Sequence, residues 1–105
     1  MDALRELTLP DTTDVRLMAG SYVKEMRVEK AQTHLVQHVH KYAHATVIVR
    51  GACRVYQDRV WLGDMVAPAT IIIPAHMPHR FVTLEDDTVI LCVHDGDADL
   101  IEERV

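Results

Sequence analysis

Short segments of alternating or β-branched apolar residues recur along the chain from Tyr22 onward. The segment 22–29 alternates with a period of two residues, which is typical of a β-strand. Glycine, proline and aspartate separate the segments and predict turns between them. Further strands are predicted at 34–40, 45–50, 52–57, 59–62, 70–73, 79–84 and 88–94, with turns at Gly51, Asp58, Gly63-Asp64, Pro74 and 85–87. About eight short strands of this spacing predict an antiparallel sandwich or barrel.

The two ends of the chain carry weaker signals. Either Asp14 caps a short turn before 15–18, or the segment 1–21 contains an edge strand. The tail 95–105 carries five acidic residues. It is predicted to be a solvated end or a partner contact, in which Asp97 caps a short helix over 98–104.

Size and charge narrow the class of protein. A chain of 105 residues fits a single domain with one core. The formal charge is −5, from 16 acidic and 11 basic residues without a basic cluster, so nucleic-acid and anionic-membrane binding are disfavoured. The apolar runs are shorter than the roughly 20 residues of a membrane span. No secretory signal is evident at the start, so a cytoplasmic location is expected. In the cytoplasm Cys53 and Cys92 are expected to be buried thiols, with a disulfide as the alternative.

Histidine is the unusual component, because four of the seven histidines lie between 34 and 44. On a helix His40 and His44 would be four residues apart, but Lys41 occupies the position of the glutamate in the helical zinc motif. The β-branched flanks favour a strand instead. On a strand, His34, His38 and His40 share one face, and a turn through 41–43 brings His44 beside the last two.

A second histidine segment follows later in the chain. Pro74 and Pro78 restrict the backbone that leads into a strand beginning at His79. A histidine held after a rigid turn suits the last ligand of a metal site. The predicted ligands are therefore His38, His40, His44 and His79.

The two segments resemble the two motifs of the cupin superfamily. The first motif is Gly, five residues, His-x-His, three or four residues, Glu, six residues and Gly, and His38, His40 and Gly51 match it. The second motif begins with a glycine, which is Gly63 in this chain, and Pro74 and His79 match later positions of it. The departures are Gln32 and His76 in place of glycine, His44 in place of glutamate and Thr83 in place of asparagine. The resemblance covers about 32–83.

The resemblance implies an all-β fold, a single cupin β-barrel of the double-stranded β-helix or jelly-roll type. One domain over 1–105 would comprise an N-terminal arm 1–21, a barrel core 22–94 and the acidic tail 95–105. The resemblance also implies a homodimer, formed through the outer sheet or through the N-terminal strand. The apolar content of 1–21 favours either closure of the barrel's own edge or packing against a second subunit.

Four neutral imidazoles would leave the full charge of a divalent ion uncompensated, since His44 replaces the only anionic ligand. Such a site favours an anionic ligand. The donor set suits Fe, Mn, Ni, Cu or Zn, and the sequence does not choose among them. Candidate pocket residues are Ile48 and Arg50, which share parity with His44, together with His76 and Phe81. For Arg50 the alternatives are a fork for a carboxylate and a side chain in solvent. For His76 they are a pocket group and a loop residue.

Several other side chains have a structural alternative. His34 is expected at the barrel mouth or packed, and His94 is expected to be structural or exposed. Tyr42, Tyr56 and Trp61 are expected to be pocket walls or simple packing residues.

Three function classes stay open. The first is a small Fe(II)-type dioxygenase acting on an anionic or enolisable substrate. The second is a non-oxidative isomerase, decarboxylase or lyase, and the third is a non-catalytic binding module. The second class needs a general base, and no Asp or Glu occurs between Lys30 and Gln57. This absence favours the dioxygenase.

Overall fold

The computed structural model describes residues 10–37 and 41–96, and this part of the chain forms nine β-strands and no helix. The strands are β1 (Thr12–Met18), β2 (Ser21–Val28), β3 (His34–Gln37), β4 (His44–Arg50), β5 (Ala52–Gln57), β6 (Val60–Val66), β7 (Ala69–Ile73), β8 (His79–Thr83) and β9 (Thr88–Asp95). The predicted all-β class is confirmed. None of the described residues belongs to a helix that could cross a membrane.

The strands form two antiparallel sheets. One sheet has five strands in the order β1-β2-β9-β4-β7, and the other has four in the order β3-β8-β5-β6. Most neighbours within a sheet are not consecutive in sequence, so the chain crosses repeatedly between the sheets. This arrangement is the jelly roll that the sequence predicts.

The core lies between the two sheets. Because side chains alternate across a strand, every second residue reaches the interior. The four-stranded sheet contributes Leu35, Val55 and Phe81, and the five-stranded sheet contributes Ile48 and Ile90, all at most 3% exposed. Phe81 lies two positions after His79 on β8, and Ile48 lies four positions after His44 on β4, so the core extends from the end of the interior where both histidines lie.

The prediction of a turn at Gly63-Asp64 is wrong. Strand β6 continues through Gly63, and its pairing with β5 shifts between Val55 and Tyr56. Gly63 has a φ of 141°, a conformation that glycine adopts without steric cost. The extra residue of this bulge is therefore accommodated within the strand, where the sequence pattern indicated a turn.

The N-terminal segment forms an edge strand, which was one of the two predicted alternatives. β1 pairs along its whole length with β2, from Thr12 opposite Arg27 to Met18 opposite Ser21. The rest of the arm, 1–9, and the predicted helix over 98–104 lie outside the described residues.

Both cysteines are free and buried, as predicted. Cys53 is fully buried on β5, and this burial raises the pKa of its thiol to about 12. Cys92 on β9 lies 3.9 Å from the Thr46 hydroxyl, measured from Sγ to Oγ1. A thiol held so firmly in its neutral form is inert, so Cys53 acts as a packing group.

Candidate metal-binding site

His44 and His79 face each other from opposite sheets. Each is the first residue of its strand, β4 or β8, and their ring centroids are 5.3 Å apart. The side chains are only 5% and 4% exposed. The structure therefore brings together two of the four predicted ligands at one end of the interior.

The ring of His79 is oriented by two contacts. Its Nδ1 atom lies 3.1 Å from the carbonyl oxygen of Met77. Since a carbonyl only accepts, Nδ1 carries the donated proton, and the neutral ring then presents an unprotonated Nε2. Phe81 packs edge-on against the ring, with centroids 5.7 Å apart and planes at 73°. A histidine held in this way through its other nitrogen is typical of a metal ligand.

His38 and His40 lie outside the described residues. Within residues 10–37 and 41–96, no group of three or more His, Cys, Asp or Glu side chains is placed to hold a metal ion. The four-histidine set therefore stays a prediction.

The register of β3 corrects the predicted face of His34. Leu35 is buried opposite Phe81, whereas His34 pairs with Val82. Regular alternation then places His34 on the other side of the sheet from His79. For His38 and His40 to join His44 and His79, the alternation has to change after Gln37, where β3 ends.

The four candidate pocket residues separate into two pairs. Ile48 and Phe81 are buried in the core, at 1% and 0% exposure, and Phe81 contacts the His79 ring. Arg50 is exposed, because a bulge between Ile48 and Arg50 interrupts the alternation that linked it to His44. His76 is an exposed residue of the loop before β8. The structure thus supports the solvent alternative for Arg50 and the loop alternative for His76.

The sequence left open whether His94 is structural or exposed, and in the structure it is buried. It pairs with Tyr22 across β2 and β9 and stacks on that ring at 4.4 Å. Tyr42 packs against the His94 ring at 4.5 Å between centroids. The Nδ1 atom of His94 donates to the Asp95 carbonyl at 2.8 Å. The shared parity of His94 with buried Cys92 was the available signal. That signal becomes readable only when the register with Tyr22 is known.

Thr83 takes a structural role at the position where the cupin motif has asparagine. Its hydroxyl donates to the Lys30 carbonyl at 2.9 Å and accepts from the Thr33 amide at 2.9 Å. These bonds hold the segment that enters β3, the strand that leads into the histidine-rich segment. Thr83 therefore links the end of β8 to the segment that enters β3.

The comparisons with known proteins support the fold. The sequence matches no protein-family model, and no curated protein matches it. Among solved structures, a cupin 2 domain-containing protein from Halorhodospira halophila is similar with a TM-score of 0.70 and 18% identity, over 84% of this chain and 66% of that one. KdgF from Halomonas sp. is similar with a TM-score of 0.67 and 16% identity, over 85% and 81%. HppE, in a Co(II) form with Tris buffer, is similar with a TM-score of 0.65 and 11% identity, over 83% and 55%.

These similarities show that the chain has the cupin fold. The chain spans about two thirds of the Halorhodospira protein and about half of HppE. Both are therefore longer than the region they share with this chain.

Proposed function

We propose that this chain binds one divalent transition-metal ion inside the barrel through His38, His40, His44 and His79. The observation that carries the proposal is the buried pair His44 and His79, which meet across the two sheets at 5.3 Å between ring centroids. Burial disfavours the charged form of an imidazole, and the neutral ring is the form that coordinates a metal.

The surroundings of the pair fit a metal. The Met77 carbonyl orients His79 so that Nε2 is the coordinating atom, and the apolar ring of Phe81 packs against His79 on the core side. Nitrogen donors of this kind suit Fe, Mn, Ni, Cu or Zn. The presence of Co(II) in the similarly folded HppE supports the assignment at the level of a divalent cation.

The same site favours a small anionic or enolisable substrate and an Fe(II)-type dioxygenase reaction. When bound, the metal would supply a Lewis acid and, as Fe(II), an electron donor toward dioxygen. The contribution of the chain is a neutral donor set, which leaves positive charge for an anion to compensate. Strands β3, β4 and β5 contain no Asp or Glu to act as a general base. This composition favours the oxygenase over an isomerase, decarboxylase or lyase.

Metal analysis of the purified chain tests the site. We expect about one metal ion per chain in the wild type and the loss of most of it in His44→Ala and His79→Ala, because each change removes a buried donor. The matched control is His34→Ala, which removes a histidine from the opposite side of the four-stranded sheet and should keep the metal. Full occupancy in both His44→Ala and His79→Ala would refute the assignment.

Oxygen consumption by the Fe(II)-loaded chain tests the reaction class. A panel of β-dicarbonyl compounds is added one at a time, and turnover by the wild type is expected to be absent in His79→Ala. Metal binding without oxygen uptake for any compound would leave the metal site in place and reject the dioxygenase. The non-oxidative and binding alternatives would then be favoured.

We also propose that the chain forms a homodimer through β1. This edge strand exposes apolar side chains, with Val15 49%, Leu17 64% and Met18 53% exposed. Among the described residues, no strand pairs with β1 on the side away from β2. An exposed edge of this kind pairs readily with a copy of itself around a two-fold axis.

Light scattering at micromolar concentration checks the dimer. The wild type is expected at twice the chain mass of 11.9 kDa. Leu17→Lys is expected to shift it to the monomer mass, because a charge then has to be buried in the interface. Val60→Lys is the control, since Val60 is similarly exposed at 60% but lies on β6, an edge strand of the other sheet. A monomeric wild type would contradict the proposal.

A further inference from the structure

A cavity lies at the end of the four-stranded sheet, where the β5–β6 hairpin meets the loop before β8. Its volume is about 420 Å³, within the range of small-molecule sites. The cavity is lined by Tyr56, Asp58, Arg59, Pro78, His79 and Arg80. Tyr56 and Arg80 follow the buried Val55 and His79, so alternation places both on the outer face of the sheet. The cavity therefore opens on the outer face of the sheet, and His79 forms part of its lining.

Two arginines supply the charge of this cavity. The guanidinium of Arg80 lies over the Tyr56 ring, with its central carbon 4.5 Å from the ring centroid. Stacking on a ring fixes the plane of a guanidinium and leaves its N–H edges directed sideways. Arg59 is exposed on the hairpin turn, and it makes no ion pair with any described residue. The cavity therefore holds two cations against one carboxylate, Asp58, in a chain whose net charge is −5.

The turn that carries Arg59 is conformationally costly. Asp58 and Arg59 are the two central residues between the paired Gln57 and Val60, and both have positive φ, 47° and 71°. Such two-residue turns favour Asn-Gly or Asp-Gly, and an arginine there costs about 1–2 kcal/mol. The Asp58 amide also donates to the Pro78 carbonyl at 2.8 Å, which fixes the turn against the loop before β8. A strained residue on a rigid turn beside a cavity points to a role for its side chain.

A groove elsewhere in the described residues has the opposite balance of charge. It has a volume of about 340 Å³ and lies where the end of β2 pairs with the start of β9. Its lining includes Arg27 and Arg50. Three acidic residues, Asp11, Glu29 and Asp87, line the same groove. An anion is therefore favoured in the cavity of Arg59 and Arg80 and disfavoured in this one.

We propose that the cavity between Arg59 and Arg80 binds a small organic carboxylate. The fork of N–H groups on each guanidinium matches the two oxygens of a carboxylate, and the Tyr56 side provides apolar surface for the rest of the ligand. His79 borders this cavity as well as the proposed metal centre, but the two arginines bind the carboxylate, so binding here does not require the metal. Asp58 opposes the anion and sets an upper limit on the affinity.

Titration of ¹⁵N-labelled, metal-free protein with benzoate tests the proposal by amide shifts. The expected result is saturable shifts at Asp58, Arg59 and Arg80, with a dissociation constant in the millimolar range, as suits a small exposed site. Benzamide has the same shape without the charge, and it should produce no saturable shifts. Arg59→Gly should weaken benzoate binding about five- to tenfold. It should not impair folding, because glycine accepts the positive φ at this position.

Two further variants make the test specific. Asp58→Asn removes the opposing charge and should tighten binding about threefold or more. Arg54→Ala removes the same charge as Arg59→Gly, but Arg54 is paired with Asp64 at 3.0 Å and does not line the cavity. It should leave the affinity unchanged. An equal loss in Arg54→Ala and Arg59→Gly, or equal binding of benzamide and benzoate, would overturn the proposal. Binding that requires added metal and disappears in His44→Ala would also overturn it.

Discussion

Gly51→Ala is expected to lower the free energy of unfolding by about 2–4 kcal/mol, from two additive causes. Gly51 has a φ of 84°, which an L-residue adopts only with strain. A Cβ atom at this position would overlap the Thr88 hydroxyl and lie 3.0 Å from the Thr88 Cα. Thr88 is fully buried and its hydroxyl donates to the Glu85 carbonyl at 2.9 Å, so it cannot move away without breaking that bond. Denaturant unfolding followed by circular dichroism measures the loss.

Gly20→Ala separates the two causes. Gly20 has a similar φ of 80°, but a Cβ built there has no described atom within 4 Å. This variant should lose only the conformational part, about 1–2 kcal/mol. The difference between the variants measures the close approach of Gly51 to Thr88. Equal losses in the two proteins would show that the contact with Thr88 relaxes at no cost.

The strands of this protein were largely predictable because alternation and turn residues mark them directly. The segment 22–29 reads as a strand from its period, and β2 covers Ser21–Val28. One local feature did not follow from the pattern. Gly63 indicates a turn when read alone, but a bulge in the pairing with β5 lets β6 run through it. Bulges depend on the partner strand, so one segment of sequence does not reveal them.

The site was predictable in residue type and less so in geometry. His44 and His79 lie close together because each begins a strand at the same end of the interior. The faces of Arg50 and His34 depend on a bulge and on the register of β3 with β8, and neither can be read from parity within one strand. His94 was undecided because its burial results from stacking on Tyr22 of another strand.

The two positions where the resemblance expects glycine illustrate a different limit. Gln32 and His76 replace those glycines, yet their φ values are 65° and 62°. The left-handed backbone that glycine would favour is therefore present in both loops without glycine. A substitution in a motif indicates a changed side chain, but it does not by itself indicate a changed backbone.

His44→Glu is expected to keep the metal and to weaken the binding of anionic ligands at that site. If His44 stands in the place of the usual glutamate, the wild-type site holds a dication with neutral donors only. An incoming anion then compensates a positive charge that the low-dielectric interior would otherwise leave unbalanced. A carboxylate at position 44, which is 5% exposed in the wild type, would supply that compensation itself. The expected loss in affinity is about 1–3 kcal/mol, or roughly 5- to 150-fold.

Oxalate titration of the metal-loaded proteins measures this loss, and His44→Gln supplies the matched control. Glutamine has the shape of glutamate without its charge, so both variants change the donor atom and only one adds an anion. Oxalate should bind His44→Gln with near wild-type affinity if that variant retains the metal, and it should bind His44→Glu far more weakly. Equal weakening in both variants would assign the effect to shape. Equal affinity in the wild type and His44→Glu would show that ligand charge does not select the anion, and the preference for an anionic substrate would lose its physical basis.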